Sequence, residues 1–356
     1  MASRRPSKTP PRQDIEIPFG AARMSAWFYP SPIATTDKPG PCVVIGHGLG
    51  AFKLMRLDAY AETFQKAGYS ALAFDYRGFG ESTGSPRQIL DWNAQQEDWK
   101  VVLEYTRTEF DQVGKFSIEV IRAVDFGTSV GYDPDSKDPE RIAIFGTSFG
   151  GGESKLHKYI ENFRLTSSAS STAHAITAAS KDKRIKAAIS QCPFTSGFHS
   201  SLTVDWKTLP WVLFAATKDV LFGTKESYTP IKVAGYPGEP ALMNAPDAMT
   251  GFNRFVSKDY RAQHPDREYV AARIVFQMPF LYPGRDAKRV QCPIYFAICK
   301  NDSVAPPGAT MRYAKQAPRG EIKEYGAGHF EIYFDEHFEE ATKDYVDFLH
   351  RHLPPN

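Results

Sequence analysis

Short apolar runs, separated by stretches with helical spacing, recur along most of this chain. Cys42-Val-Val-Ile45, Ser70-Ala-Leu-Ala-Phe74, Ile142-Ala-Ile-Phe145, Ile185 to Cys192 and Ile294-Tyr-Phe-Ala-Ile298 are too continuously apolar for a sheet with one wet face, and they read as buried parallel strands. Glu321 to Tyr325 adds a late strand. Between them, Leu54 to Ala67 (stopped by Gly68), Trp92 to Thr108, Ala173 to Ala179 and Glu336 to His350 read as helices, the second placing Trp99, Val102, Leu103 and Tyr105 on one face. Ile15 to Tyr29 alternates around Phe19-Gly20 as a hairpin would. Strand, helix, strand in this order is the grammar of an α/β fold with a mostly parallel, doubly wound sheet.

The alternation breaks from about 196 to 290, where aromatics, Pro and Gly crowd together: Trp206, Trp211, Phe214, Phe222, Phe252, Phe255, Phe276 and Phe280 among them. The expected organisation is a disordered tail (1–13), a first core part (14–195), an inserted and mainly helical cap (196–290) and a second core part (291–356). Cap aromatics pack a core more often than they line a substrate wall, yet so many would line a large apolar pocket. Two segments look intrusive: 113–132 lengthens the path into the Ile142 strand, and 153–171 separates a glycine-rich turn from the helix at Ala173. Both are read as candidate retained introns, since Gly114-Lys115 and Gly152-Glu153-Ser154 can be encoded by donor splice sequences. The alternative is a helix over Lys155 to Leu165 followed by a Ser-rich loop.

With 356 residues and 42% apolar content the chain can bury a large core. A net charge of only +2, with no basic stripe, gives no case for a nucleic-acid partner. Cys42, Cys192, Cys292 and Cys299 lack metal-type spacing and sit in or beside apolar runs, so buried thiols in a reducing, cytoplasmic setting are expected, without metal or cofactor. Met1 to Gln13 is basic and proline-rich with no apolar core of a signal peptide, and no run is long enough to span a membrane.

The chemistry is carried by Gly146-Thr147-Ser148-Phe149-Gly150, a G-x-S-x-G pattern directly after an apolar strand. Such a turn from strand to helix is sharp enough that flanking side chains would clash, and it lifts the serine hydroxyl out of the sheet. A serine hydroxyl needs a base, and the base an orienting carboxylate. Asp302, in Asn301-Asp-Ser-Val-Ala-Pro-Pro307, and His329, in Gly326-Ala-Gly-His-Phe330, each follow a late strand in the required order Ser, Asp, His. Taken singly, Asp302 reads as a capping aspartate and His329 as a loop histidine; taken together with Ser148 they read as a triad. His47-Gly48-Leu49-Gly50 follows an early strand, where the N–H of Leu49 can meet that of Phe149 to hold an oxyanion. Asp75 is the second choice for the acid, although it and Arg77 read better as a structural salt bridge or turn.

These residues, with Phe74-Asp-Tyr-Arg-Gly-Phe-Gly-Glu-Ser82, Gln191-Cys-Pro-Phe194 and Gly328-His-Phe-Glu-Ile-Tyr333, resemble the α/β-hydrolase superfamily from about Ile15 to Leu353. More narrowly they look like the fungal polyketide transferase group, relatives of the fumagillin acyltransferase and of X-Pro dipeptidyl-peptidase-like hydrolases. The resemblance implies the α/β-hydrolase fold, Ser148, Asp302 and His329 as triad, and secondary-metabolite biosynthesis, toxin formation included, as the setting. Members of that group run directly from the turn glycines into the equivalent of Ala173, so 153–171 is a departure. The expected activity is acyl transfer through an acyl-enzyme from a small ester or thioester, a carrier-bound polyketide included. The alternatives are a carboxylesterase, thioesterase or peptidase-like hydrolase, and a catalytically silent relative acting as a scaffold.

Overall fold

The computed structural model describes residues 9–35, 39–110, 141–148, 174–224 and 227–355. The expected hairpin is present as β1 (Gln13–Phe19) and β2 (Ala22–Tyr29), and it is followed by β3 (Cys42–Gly46), β4 (Ser70–Phe74), β5 (Ile142–Thr147) and β6 (Ala187–Gln191). Three short strands, β7 (Pro230–Ala234), β8 (Ala241–Met243) and β9 (Tyr269–Ala271), precede the last core strands, β10 (Ile294–Asn301) and β11 (Gly320–Gly328). The main sheet has eight strands in the order β1-β2-β4-β3-β5-β6-β10-β11. β1 and β2 run antiparallel to their neighbours, and the rest are parallel.

The unbroken apolar runs follow from burial on both faces. Val43, Ile45, Ala143 and Phe145 point into one cluster, with Tyr60 and Phe64 of α1 (Leu57–Lys66) and Tyr345 and Phe348 of a long C-terminal helix (Asp335–His352). Their sequence neighbours Cys42, Val44, Ile142 and Ile144 point into the other, with Trp99 and Val102 of α2 (Trp92–Phe110) and Ala175 and Ile176 of α3 (His174–Lys181). Successive side chains of a strand face opposite ways, so a sheet covered on both sides needs no polar alternation.

The inserted region does more than the expected helices. It holds α4 (Gly197–Ser201), α5 (Leu209–Phe222), α6 (Ala248–Phe252), α7 (Lys258–Gln263) and α8 (Ile274–Gln277), but also the separate sheet β8-β7-β9. α9 (Pro307–Ala314) and α10, the helix Asp335–His352, complete the core. Val212, Ile231, Val233, Met249 and Phe252 of the insertion share one hydrophobic cluster with the core. Buried Asp219 ties the insertion together: it accepts from Arg273 Nε (2.7 Å) and from the backbone N–H of Thr229 (2.7 Å) and Arg273 (2.8 Å). Burial alone would raise its pKa, but these donors hold it below the usual carboxylate range.

Most of the expected tail, and both segments read as intrusive (113–132 and 153–171), lie outside the described residues. The tail's end is tied down: Gln65 donates to the Pro10 carbonyl (3.0 Å), and the Arg12 guanidinium lies 4.6 Å above the Trp27 ring. No described helix is long and apolar enough to cross a membrane.

Candidate active site

Ser148 stands where β5 ends, in the left-handed region at φ 57°. For a residue with a Cβ this costs on the order of 1–3 kcal/mol, which the surroundings must supply. They do so through the backbone: the Ser148 N–H donates to Gln191 O (2.9 Å), and the Ser148 carbonyl accepts from Phe194 N (3.1 Å). Gly146 is dictated by packing, because a Cβ there would lie 2.6 Å from the Cβ of Ala175 on α3. Gly48 is similarly constrained, since its Cβ would lie 3.0 Å from that of Ser148.

The two late strands bring the other groups to this point. Parallel β10 and β11 both end at this edge, placing Asp302 and His329 directly after them. Ser148 Oγ lies 2.8 Å from His329 Nε2, and His329 Nδ1 lies 2.9 and 2.8 Å from Asp302 Oδ1 and Oδ2. Asp302 Oδ1 also accepts from the N–H groups of Val304 (2.9 Å) and Ala305 (2.6 Å), which orients the carboxylate. Both His329 and Asp302 are buried. A hydroxyl bonded to one imidazole nitrogen, with the other nitrogen held by a carboxylate, has a route for its proton.

A polar layer that no local sequence pattern marks lies below the turn. Gln191 Oε1 accepts from the hydroxyls of Tyr60 and Tyr345, each at 2.9 Å, and its amide reaches Thr147, whose hydroxyl is also bonded to that of Tyr333. The residues come from α1, β5, β6, α10 and the turn after β11, so no local pattern joins them. The one signal was an uncharged amide closing an otherwise apolar strand.

The His47–Gly50 loop passes beside Ser148 and is held from behind. Lys53, buried, donates from Nζ to Asp75 Oδ2 (2.8 Å) and from its backbone N–H to Asp75 Oδ1 (2.6 Å). The imidazole facing Asp75 is that of His47, at 3.9 Å, so the second-choice acid is a structural group. Arg77 bonds Asp98 rather than Asp75. The Leu49 N–H makes no hydrogen bond to a described residue, whereas Phe149, the other expected donor, lies outside the described residues.

Another buried histidine is occupied elsewhere. His174 stacks on Trp92 with centroids 3.9 Å apart and is bonded by Gln96 (2.7 Å) and Gln95 (2.9 Å); burial drives its pKa well down. The four cysteines are buried free thiols, with Cys192 and Cys299 sulfurs 3.1 Å apart beneath the site. Cys192, Asp302 and His329 cluster closely enough to ligate a metal ion, but both imidazole nitrogens are already engaged by Ser148 and Asp302. The cap aromatics correct an expectation: Phe252 is buried, but Trp206, Trp211, Phe214 and Phe222 are 65–76% exposed, neither packed in the core nor enclosed in a pocket wall.

Comparison with known proteins gives the family. Quorum-quenching protein AidA of Acinetobacter baumannii is 38% identical over 344 residues, covering 96% of this chain and 95% of that protein. Thiohydrolase aneE of Aspergillus aculeatus is 25% identical over 329 residues, 87% of this chain and 85% of its own. The crystal structure of the alpha/beta hydrolase GrgF from Penicillium superposes with a TM-score of 0.65 at 19% identity, covering 96% and 99% of the two chains. The profile of the alpha/beta hydrolase family matches residues 43–345, from β3 into α10, and the order of the main sheet is in keeping with it: this chain belongs to the alpha/beta hydrolase family.

Proposed function

We propose that this protein is a serine hydrolase that cleaves a small acyl ester or thioester through an acyl-enzyme on Ser148. The observation that carries the reading is the continuous hydrogen-bonded run from Ser148 Oγ through His329 to Asp302. His329 Nε2 takes the hydroxyl proton as Oγ attacks the carbonyl carbon. Asp302 stays ionised, fixes the Nδ1–H tautomer and steadies the imidazolium. The Leu49 N–H, together with that of Phe149 by its place in the sequence, receives the oxyanion. His329 then returns the proton to the leaving alcohol or thiol, and water, activated by the same imidazole, frees the acid.

Hydrolysis is placed ahead of acyl transfer because one of the relatives matched over most of its length is called a thiohydrolase, whereas the matches to polyketide transferases are short. Transfer of a polyketide acyl chain to an alcohol is the second reading. It is favoured by shorter matches, such as 35% identity over 88 residues to a Stachybotrys polyketide transferase and 30% over 92 residues to one from Penicillium. The two readings differ only in the second acceptor.

The test is covalent labelling by a fluorophosphonate. The native protein is expected to label and Ser148→Ala to stay unlabelled; absence of label on the folded native protein refutes the reading. Acyl thioesters incubated with and without a primary alcohol then separate free acid from ester as the product.

A further inference from the structure

Helix α5 is apolar on more than its core side. Val212 and Ala216 face the interior, while Trp211, Phe214, Leu221 and Phe222 are 65–76% exposed; on the segment leading into it, Leu202 and Trp206 are 68% and 75% exposed. Charge is sparse on this face. Between Phe198 and Phe222 the exposed charged residues are Lys207 and Lys218, since Asp205 is half-buried and Asp219 is buried against Arg273. α5 packs on α8 and α8 on the 3-10 turn after it, where Phe276 and Phe280 are also exposed, so the apolar surface continues past the helix.

We infer that this face is the dimer interface of the protein, with a second copy of the same chain as its occupant. The area decides it. Taking roughly 200 Å² for a full aromatic side chain, the four exposed aromatics leave about 560 Å² of apolar surface in water. Leu202 and Leu221 bring the patch toward the ~800 Å² that each partner contributes to a standard interface, above the ~300–600 Å² of the largest patch on a typical monomer. Lys218, four residues from both Phe214 and Phe222, is the exposed charge of α5 on this face, and its long stem lets the ammonium reach the rim of an interface. A membrane surface would call for the four to eight basic residues of a lipid-binding cluster, and the described residues from Phe198 to Phe222 expose two. Side chains two-thirds exposed are also too open to form a substrate pocket. The geometry allows closure: Trp211 and Phe214 lie in the first half of a helix about 21 Å long and Leu221 and Phe222 at its end, so a two-fold axis between the two pairs sets α5 against its own copy.

Sedimentation velocity of the full chain from about 0.1 to 50 µM tests this. The expected species has twice the 39.8 kDa chain mass. The double variant Trp211→Glu/Phe214→Glu is expected to be monomeric, with the dissociation constant raised at least ~100-fold, and to keep its far-UV circular dichroism and its fluorophosphonate labelling. Tryptophan emission of the native chain supplies a reading that needs no variant. Trp27, Trp92 and Trp99 are buried, so a red shift on dilution reports Trp206 and Trp211 passing into water. A native chain that is monomeric throughout overturns the inference, and so does one that stays monomeric and co-sediments with phosphatidylglycerol vesicles. A folded double variant that dimerises as tightly as the native chain, or an emission maximum that does not move as the dimer dissociates, overturns it as well.

Discussion

Replacing Asp302 with asparagine separates charge and tautomer from shape at the proposed catalytic site. The amide is nearly isosteric with the carboxylate, but its orientation is not free. Asp302 Oδ1 accepts from two backbone N–H groups, Val304 at 2.9 Å and Ala305 at 2.6 Å, so the amide oxygen must stay there and the NH2 group must take the Oδ2 position. That position lies 2.8 Å from His329 Nδ1. An N–H donor there forces Nδ1 to accept, which moves the imidazole proton to Nε2, the atom 2.8 Å from Ser148 Oγ. The base then has no lone pair to offer the serine. The loss expected in kcat is about 10⁴-fold, or ~5 kcal/mol of transition-state stabilisation, the size found when a triad aspartate is changed in this way in a serine protease. Stability should barely change, because the two backbone donors keep their acceptor. The assay is the rate of fluorophosphonate modification and of p-nitrophenyl ester hydrolysis at pH 7 to 9, with thermal unfolding measured alongside. A folded variant that labels within about tenfold of the native rate would refute the argument that Asp302 sets the state of His329.

Two further outcomes follow from packing and from buried imidazoles. Gly146→Ala puts a methyl group 2.6 Å from the Cβ of Ala175, against an ordinary separation of roughly 3.5–4 Å, so α3 must move outward at a cost of about 1–3 kcal/mol. A lower urea midpoint and slower labelling are expected, with partial rescue by Ala175→Gly; an unchanged midpoint contradicts the packing account. Acid should weaken the fold before the carboxylates titrate. Burial lowers the His47 pKa to about 4, with Asp75 and the Gly48 carbonyl pulling it back up and Lys53 pushing it down. The folded form therefore takes up a proton less readily than the unfolded chain, whose imidazole titrates near 6.5. This stability is fully present above pH ~6.5 and is lost as pH falls toward 4, by about 2 kcal/mol between pH 7 and 5 for His47 alone. His174, depressed in the same direction, adds to the loss. Urea titrations at pH 7, 6 and 5 measure the slope, and His47→Gln should flatten it; a flat native profile refutes the assignment of both imidazoles as buried and neutral.

The sequence by itself determined the order of the core strands, the doubly wound core and the three residues that meet at its edge. Those features rest on local signals: runs such as Cys42 to Ile45 that are apolar on both sides of the sheet, and a serine, an aspartate and a histidine each directly following a strand. Parallel strands end at a common edge, so local placement was enough to imply a meeting in space. What tertiary structure decided has no such local mark. The sheet β8-β7-β9 is built from strands of three to five residues, too short for an alternation to stand out. Asp75 is bound to Lys53 and not to His329 because the β4 turn folds back over the loop that carries His47. The network around Gln191 gathers side chains from five separate segments. The cap aromatics show the limit most directly. Hydrophobicity records a preference to leave water but not the direction in which a side chain points, so only the packing of α5 revealed that Trp211 and Phe214 face outward.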